Sequence, residues 1–479
     1  MLQSKSDIAA SPSRHMAGAA AAMLALAVFP SSAFAHASES GHVLLLPTGY
    51  YLAGGALAVA ASFLALAWLP PQALERIWQR KQPLGRFGDG PRTVVSLLSF
   101  VFFAVLVAAG FWGSRDPLAN PLPLTVWTLL WAGLTLLHGL FGNLWSWLNP
   151  WYGPWRILSP LLGRHASAGS RLVEGIGLWP AVVLFLAFAW FELIDPAPSD
   201  PARLAVAAGG YWLASFVAML VLGYDQWSQR GEFLGIFFAM VARFAPLERK
   251  DERLFLRWPG AKLLDTTPLP ASGVAFALLA LSSVSFDGLS KTFFWLGLNG
   301  VNPLDYPGRT ALIGIGTMGL VATFLVLAVL FLLALGLGRL LAGPGARPAP
   351  AAGLLVWSIV PIALAYHIAH YMTALLVNGQ YAVVALSDPF ARGWDLFGTA
   401  HMHVSAGIVA GAHSAWWLWN CQAGAIIIGH VLAVLVAHSL AYRLYGDNRR
   451  AALSQVPLTV LMIAYTVFGL WLLSTPAAG

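Results

Sequence analysis

The sequence predicts an all-α, polytopic integral membrane protein, a helix bundle of about ten transmembrane helices behind a signal peptide. Three observations carry this. Of 479 residues, 58% are hydrophobic and only 10% charged, with a mean hydropathy of +0.71. Soluble domains carry about 25% charged residues, so this chain lacks the polar surface to coat a water-exposed body. The apolar residues lie in continuous stretches near the ~20 residues that a helix needs to cross the hydrocarbon core. Basic residues gather in every second connection between those stretches. An ordinary cytosolic enzyme is thereby excluded. The net charge of +7 is no sign of nucleic-acid binding, since residues that orient a membrane protein give the same total. A single cysteine, Cys421, excludes a disulfide framework and a cysteine-based metal cluster.

Residues 1–35 read as the signal peptide. Lys5 and Arg14 precede an apolar core from Ala17 to Phe29, and Ala33-Phe34-Ala35 supplies the small residues of a cleavage site. Residues 36–479 then form a single helical membrane domain. Its apolar stretches fall at 48–69, 94–113, 123–147, 176–194, 204–222, 270–286, 310–338, 354–377, 416–440 and 455–474. Because they are continuous and not alternating, they are helices and not barrel strands. The basic groups run from Arg76 to Arg92, Arg156 to Arg171, Arg230 to Lys262, Arg339 to Arg347 and Arg443 to Arg450, together 20 of the 27 basic residues. By the positive-inside rule these connections are cytoplasmic. Both ends of the mature chain are then on the outer, periplasmic side of a bacterial inner membrane. Two connections are too long to be plain linkers. The cytoplasmic segment 224–265, with the run Glu232-Phe233-Leu234-Gly235-Ile236-Phe237-Phe238, predicts an amphipathic helix lying on the inner leaflet. The outer loop 378–415 is dense in ionisable groups. Trp145, Trp147, Trp151 and Trp155 read as an aromatic belt at the headgroup level.

Histidine carries the candidate chemistry, because an ionisable side chain in or beside a span is costly and points to function. His367 and His370, three apart on the eighth helix, share a face. His401 and His403 flank Met402 in the outer loop; cleavage after Ala35 makes His36 the mature N-terminus, where imidazole and α-amine together would chelate copper, whereas cleavage in the second register, Ala35-His36-Ala37, removes it. With Asp287, Asp388 and Asp395 they make the outer side acidic and histidine-rich. Neutral imidazole with carboxylate suits a divalent transition metal, zinc or copper foremost. His138 and His430 lie near the midplane of two helices, where they would hold a non-covalent haem or share a proton path. The bland alternative for each is a buried histidine bonded to a backbone carbonyl. Walker, HExxH and GxSxG signatures are absent.

Several runs are familiar. Tyr366-His367-Ile368-Ala369-His370-Tyr371, Ser387-Asp388-Pro389-Phe390 through Gly393-Trp394-Asp395, Gly429-His430-Val431, Trp147-Leu148-Asn149-Pro150-Trp151 and Ser285-Phe286-Asp287-Gly288 resemble the bacterial membrane-bound fenitrothion hydrolases. The resemblance implies an integral membrane hydrolase that cleaves aryl phosphotriesters, a small hydrophobic substrate arriving from membrane lipid. In a metal-assisted version, the ion lowers the pKa of its water from 15.7 towards ~7 and polarises the phosphoryl group. His367, His370, His401 and His403 are then the ligands, with Asp388 or Asp395 as orienter or general base. The competing readings are copper handling, haem-based electron transfer through the same histidines, and transport. No internal repeat supports the last.

Overall fold

A computed structural model describes residues 48–69, 71–86, 90–161, 175–305, 308–343 and 349–475. The expected signal peptide and His36 lie outside them. The chain is a helical, multi-pass membrane protein. Its principal helices are α1 (Thr48–Trp68), α2 (Arg92–Trp112), α3 (Pro121–Phe141), α4 (Trp179–Leu193), α5 (Pro201–Leu222), α6 (Phe233–Ala242), α7 (Ala271–Ser290), α8 (Arg309–Ala342), α9 (Ile359–Ser387), α10 (Ala412–Tyr445) and α11 (Asn448–Ser474). Among the described residues nine helices are long and apolar enough to cross a membrane. The expected stretch 176–194 forms α4 over 15 residues, roughly 22 Å and short of a ~30 Å core. Local chemistry sets the ends. Asp200 and Asp447 accept hydrogen bonds from the Arg203 and Arg450 amides as N-caps, and Gly446, at φ 67°, closes α10 in the left-handed region.

Three boundaries differ from expectation. The stretch 123–147 ends at Phe141, where Gly142 turns with φ 93°, and Trp145–Leu148 forms a separate short helix. The outer loop starts at Asp388 and not at 378, because α9 runs on to Ser387. In segment 224–265 there is no amphipathic surface helix at the apolar run. Eight of the ten residues of α6 are buried, and it packs against α3 and α4. A helix apolar all round has no face to give to water, so it goes inside.

The rest of that segment joins residues 81–86 in the one small sheet among the described residues. Strands β1 (Lys81–Arg86), β2 (Leu247–Lys250) and β3 (Arg253–Arg257) pair antiparallel in the order β1-β3-β2. Asp251 and Glu252, both at positive φ, form the two-residue hairpin turn. Lys81 pairs with Glu248 at 3.1 Å and Arg257 donates to the Trp78 carbonyl at 3.2 Å, so two basic connections are tied together at this end of the bundle. At the centre stands α9, packed against α3, α7 and α10.

Candidate functional site

Four helices bring an ionisable cluster together around α9. His367, His370 and Tyr371 project from one face by their spacing. Asp287 comes from the end of α7, Glu192 from the end of α4 and Trp131 from α3. From Leu124 to Leu134, α3 is wound as a π-helix, a form that is rare and concentrated at functional sites. Within it the Trp131 carbonyl accepts from His367 Nε2 at 2.8 Å and from the Thr135 hydroxyl at 2.5 Å. The Trp131 indole donates to the Tyr371 hydroxyl at 2.9 Å, which donates in turn to Glu192 Oε1 at 2.7 Å. Asp287 meets His370 Nε2 at 2.5 Å through one oxygen and Lys291 Nζ at 3.0 Å through the other. Asp287 and His367 are buried, while the His370 side chain keeps 23% of its exposure.

Buried charge is tolerated where it is paired and hydrogen-bonded. Here one carboxylate has both a cation and an imidazole, and the second has a phenol. Chemically, the arrangement is an Asp–His pair in which the carboxylate fixes the ring and favours the imidazolium once a proton arrives. His370 is the partly exposed member of the pair.

The loop histidines are placed elsewhere. Thr399 donates to the Val383 carbonyl and the Ser405 amide to Gln380 Oε1, which pins the chain around His401 and His403 roughly 20 and 15 Å along α9 from His370. Both loop histidines are exposed. The expected set His367, His370, His401 and His403 is therefore not assembled, and His367 already spends Nε2 on a carbonyl. Among the described residues no three His, Cys, Asp or Glu side chains gather as a metal-holding group. Asp388 and Asp395 organise their own loop. Asp388 accepts from the Arg392 and Gly393 amides, and Asp395 from the Ala400 amide and the Ser387 hydroxyl, which hold the exposed Asp395 carboxyl below its usual range. Neither carboxylate touches the Asp287–His370 pair.

The haem pair does not face a common space. His138 has Nδ1 on the Leu134 carbonyl at 2.6 Å and Nε2 accepting from the Trp145 amide at 2.9 Å, and its ring stacks on Phe238. No lone pair is left for iron. His430 bonds through Nδ1 to Ile426, and its Nε2 is buried without a partner. Between the two stands α9: Gly139 abuts Leu364 on one side, and a Cβ on Gly429 would lie 2.3 Å from Ala365 on the other. The bland alternative, a buried structural histidine, describes His138. Cys421 is free and exposed.

Sequence reasoning did not single out Glu192, Tyr371, Trp131 or Lys291. Two signals were present. Lys291 follows Asp287 by four residues, the spacing of a helical ion pair, and Glu192 is a lone acid closing an otherwise apolar run. No family model matches this chain, and neither the curated proteins nor the solved structures contain a match.

Proposed function

We propose that this membrane protein is a hydrolase of small apolar aryl phosphotriesters in which His370, oriented by Asp287, is the general base. The 2.5 Å contact between His370 Nε2 and Asp287 Oδ2 carries the reading. In the reaction, His370 takes a proton from water as the water oxygen bonds to phosphorus. The bond from phosphorus to the aryl oxygen breaks, and the proton returns to solvent from the imidazolium. A nitrophenolate leaves without help from a strong acid. The substrate class comes from the resemblance of the sequence to fenitrothion hydrolases, and a lipid-soluble ester suits a pair set inside a bundle. By the positive-inside rule the pair faces the periplasmic side of a bacterial inner membrane.

The test is nitrophenol release from fenitrothion by detergent-purified protein. Removing a general base costs roughly 10²–10⁴ in rate, so His370→Ala and Asp287→Asn are both expected to fall by about that factor while eluting as folded protein. Full turnover in both variants overturns the assignment. Activity should also survive exhaustive chelation; loss on chelation with recovery on zinc would restore a metal-assisted mechanism. One observation favours a second reading: Tyr371 bonded to Glu192, beside Asp287 and Lys291, is the kind of intramembrane ionisable chain that relays protons. In proteoliposomes, proton flux that disappears in Glu192→Gln, with no ester hydrolysis by the parent protein, would select it.

A further inference from the structure

A large cavity lies beside that cluster and contains none of its ionisable groups. It measures about 1050 Å³ and is walled by α2, α3, α4 and α5, with α6 and the short helix Trp145–Leu148 at one end. This is the upper end of the roughly 300–1,000 Å³ typical of small-molecule sites. Along α4 the lining runs from Trp179 to Phe191 and along α5 from Leu204 to Ser215, spans of roughly 16–18 Å. Phe102, Trp179 and Val183 line it and are 44%, 49% and 64% exposed. Its mouth therefore opens sideways through helix faces of apolar residues, towards lipid and not towards the aqueous ends.

Two features define what fits. First, no Lys, Arg, His, Asp or Glu lines the cavity. A charged headgroup or a free fatty acid would lose its hydration there with no counter-ion, at a cost of several kcal/mol. Second, the walls carry polar atoms that the protein leaves unsatisfied. The Trp227 indole N–H, at the end near Trp145, and the Thr125 hydroxyl, at the end near Leu122, are buried without a hydrogen-bond partner. Buried polar groups are paired in the great majority of cases, and each exception asks for an explanation. An indole can only donate. Aromatic walls from Trp127, Phe188, Phe191 and Trp212 add ring-to-ring or ring-to-chain contact.

We infer that this cavity is a binding site for a neutral, membrane-dissolved amphiphile whose carbonyl group accepts a hydrogen bond from Trp227. Ester lipids without a charged head, such as diacylglycerol, and isoprenoid quinones share that chemistry. The ligand enters laterally from the bilayer through the gap beside Val183. Its long apolar part fills the space between α4 and α5, and its carbonyl stops at the inner wall. None of this depends on the Asp287–His370 pair, so the site stands or falls separately from the hydrolase reading.

The full chain in lipid nanodiscs is to be labelled with two photoreactive probes, a diazirine diacylglycerol and a diazirine quinone, and the adducts mapped by peptide mass spectrometry. Expected is labelling by at least one probe, concentrated in α4 and α5; the probe that labels identifies the source. Trp227→Phe keeps an aromatic side chain, though a smaller one, and removes the donor, and is expected to cut labelling about tenfold, the equivalent of one hydrogen bond. A second variant, Gly210→Phe with Ala214→Phe, fills the cavity. A Cβ on Gly210 meets nothing within 4 Å, so the first ring starts in open space; the variant is expected to lose the label while eluting as folded protein. A diazirine fatty acid should not label these helices. The inference is overturned if neither probe labels α4 and α5, if adducts spread evenly over lipid-facing helices such as α8, if the filled variant labels like the parent, or if the fatty acid labels as well as the neutral probes.

Discussion

Glu232 is 2% exposed and holds four donors: the Tyr211 hydroxyl and Leu234 amide on one oxygen, the Trp145 indole and Gly235 amide on the other. The carboxylate thereby caps α6 and joins it to α5 and to the Trp145 helix. Removing one partner from a buried set exposes the others to their full desolvation cost. Glu232→Ala is expected to destabilise the protein by about 3 kcal/mol or more, read as a lower unfolding midpoint in detergent; Glu232→Gln, which keeps one acceptor oxygen, should lose less. A midpoint unchanged in both variants would remove Glu232 from this role. In the sequence Glu232 is only a charge flanking an apolar run, as expected of a surface helix. Its partners sit 21 and 87 residues away, and separations of that kind have no local signature. The His367 and His370 spacing was legible as a shared helix face. That His370 meets Asp287, and that His367 meets a backbone carbonyl, depends on which helices lie opposite.

Helix existence is a local property, and apolar length plus turn chemistry place most of these elements. Their ends and partners are not local. Asn378-Gly379-Gln380 reads as the start of a loop, yet α9 continues through it because Gln380 bonds back to the Leu376 carbonyl and across to Ser405. That extension carries the loop histidines away from His370 and dissolves the four-histidine centre. Glycines make the same point. Gly336 and Gly338 sit two apart on α8 in equivalent local sequence, but a Cβ on Gly338 would lie 2.0 Å from the Ser454 carbonyl oxygen of α11, whereas one on Gly336 meets nothing within 4 Å. Small residues let membrane helices approach at backbone distance. Gly338→Ala is therefore expected to force α8 and α11 apart and cost about 1–3 kcal/mol or more. Gly336→Ala should be neutral or gain up to about 1 kcal/mol from helix propensity. Unfolding midpoints of the two variants check this; equal midpoints would contradict the close approach.

At the scale of the molecule, charge decides orientation. The sheet of β1, β2 and β3 joins two of the basic connections, and by the positive-inside rule we propose that this end lies in the cytoplasm. A phosphatase that folds only in the periplasm, fused after Gly479, should be active, and the same reporter inserted at the β2–β3 turn should not. The reverse pattern would invert the orientation. By itself the sequence determined that this is a helical membrane protein and roughly how many spans it has, because hydrophobic length acts residue by residue. Only the tertiary structure decided which ionisable groups meet, that α6 lies inside the bundle, that α9 separates His138 from His430, and that a neutral cavity opens beside α4 and α5. Those outcomes follow from pairing buried polar groups and filling space between helices distant in the chain, and neither requirement can be read until the helices are packed.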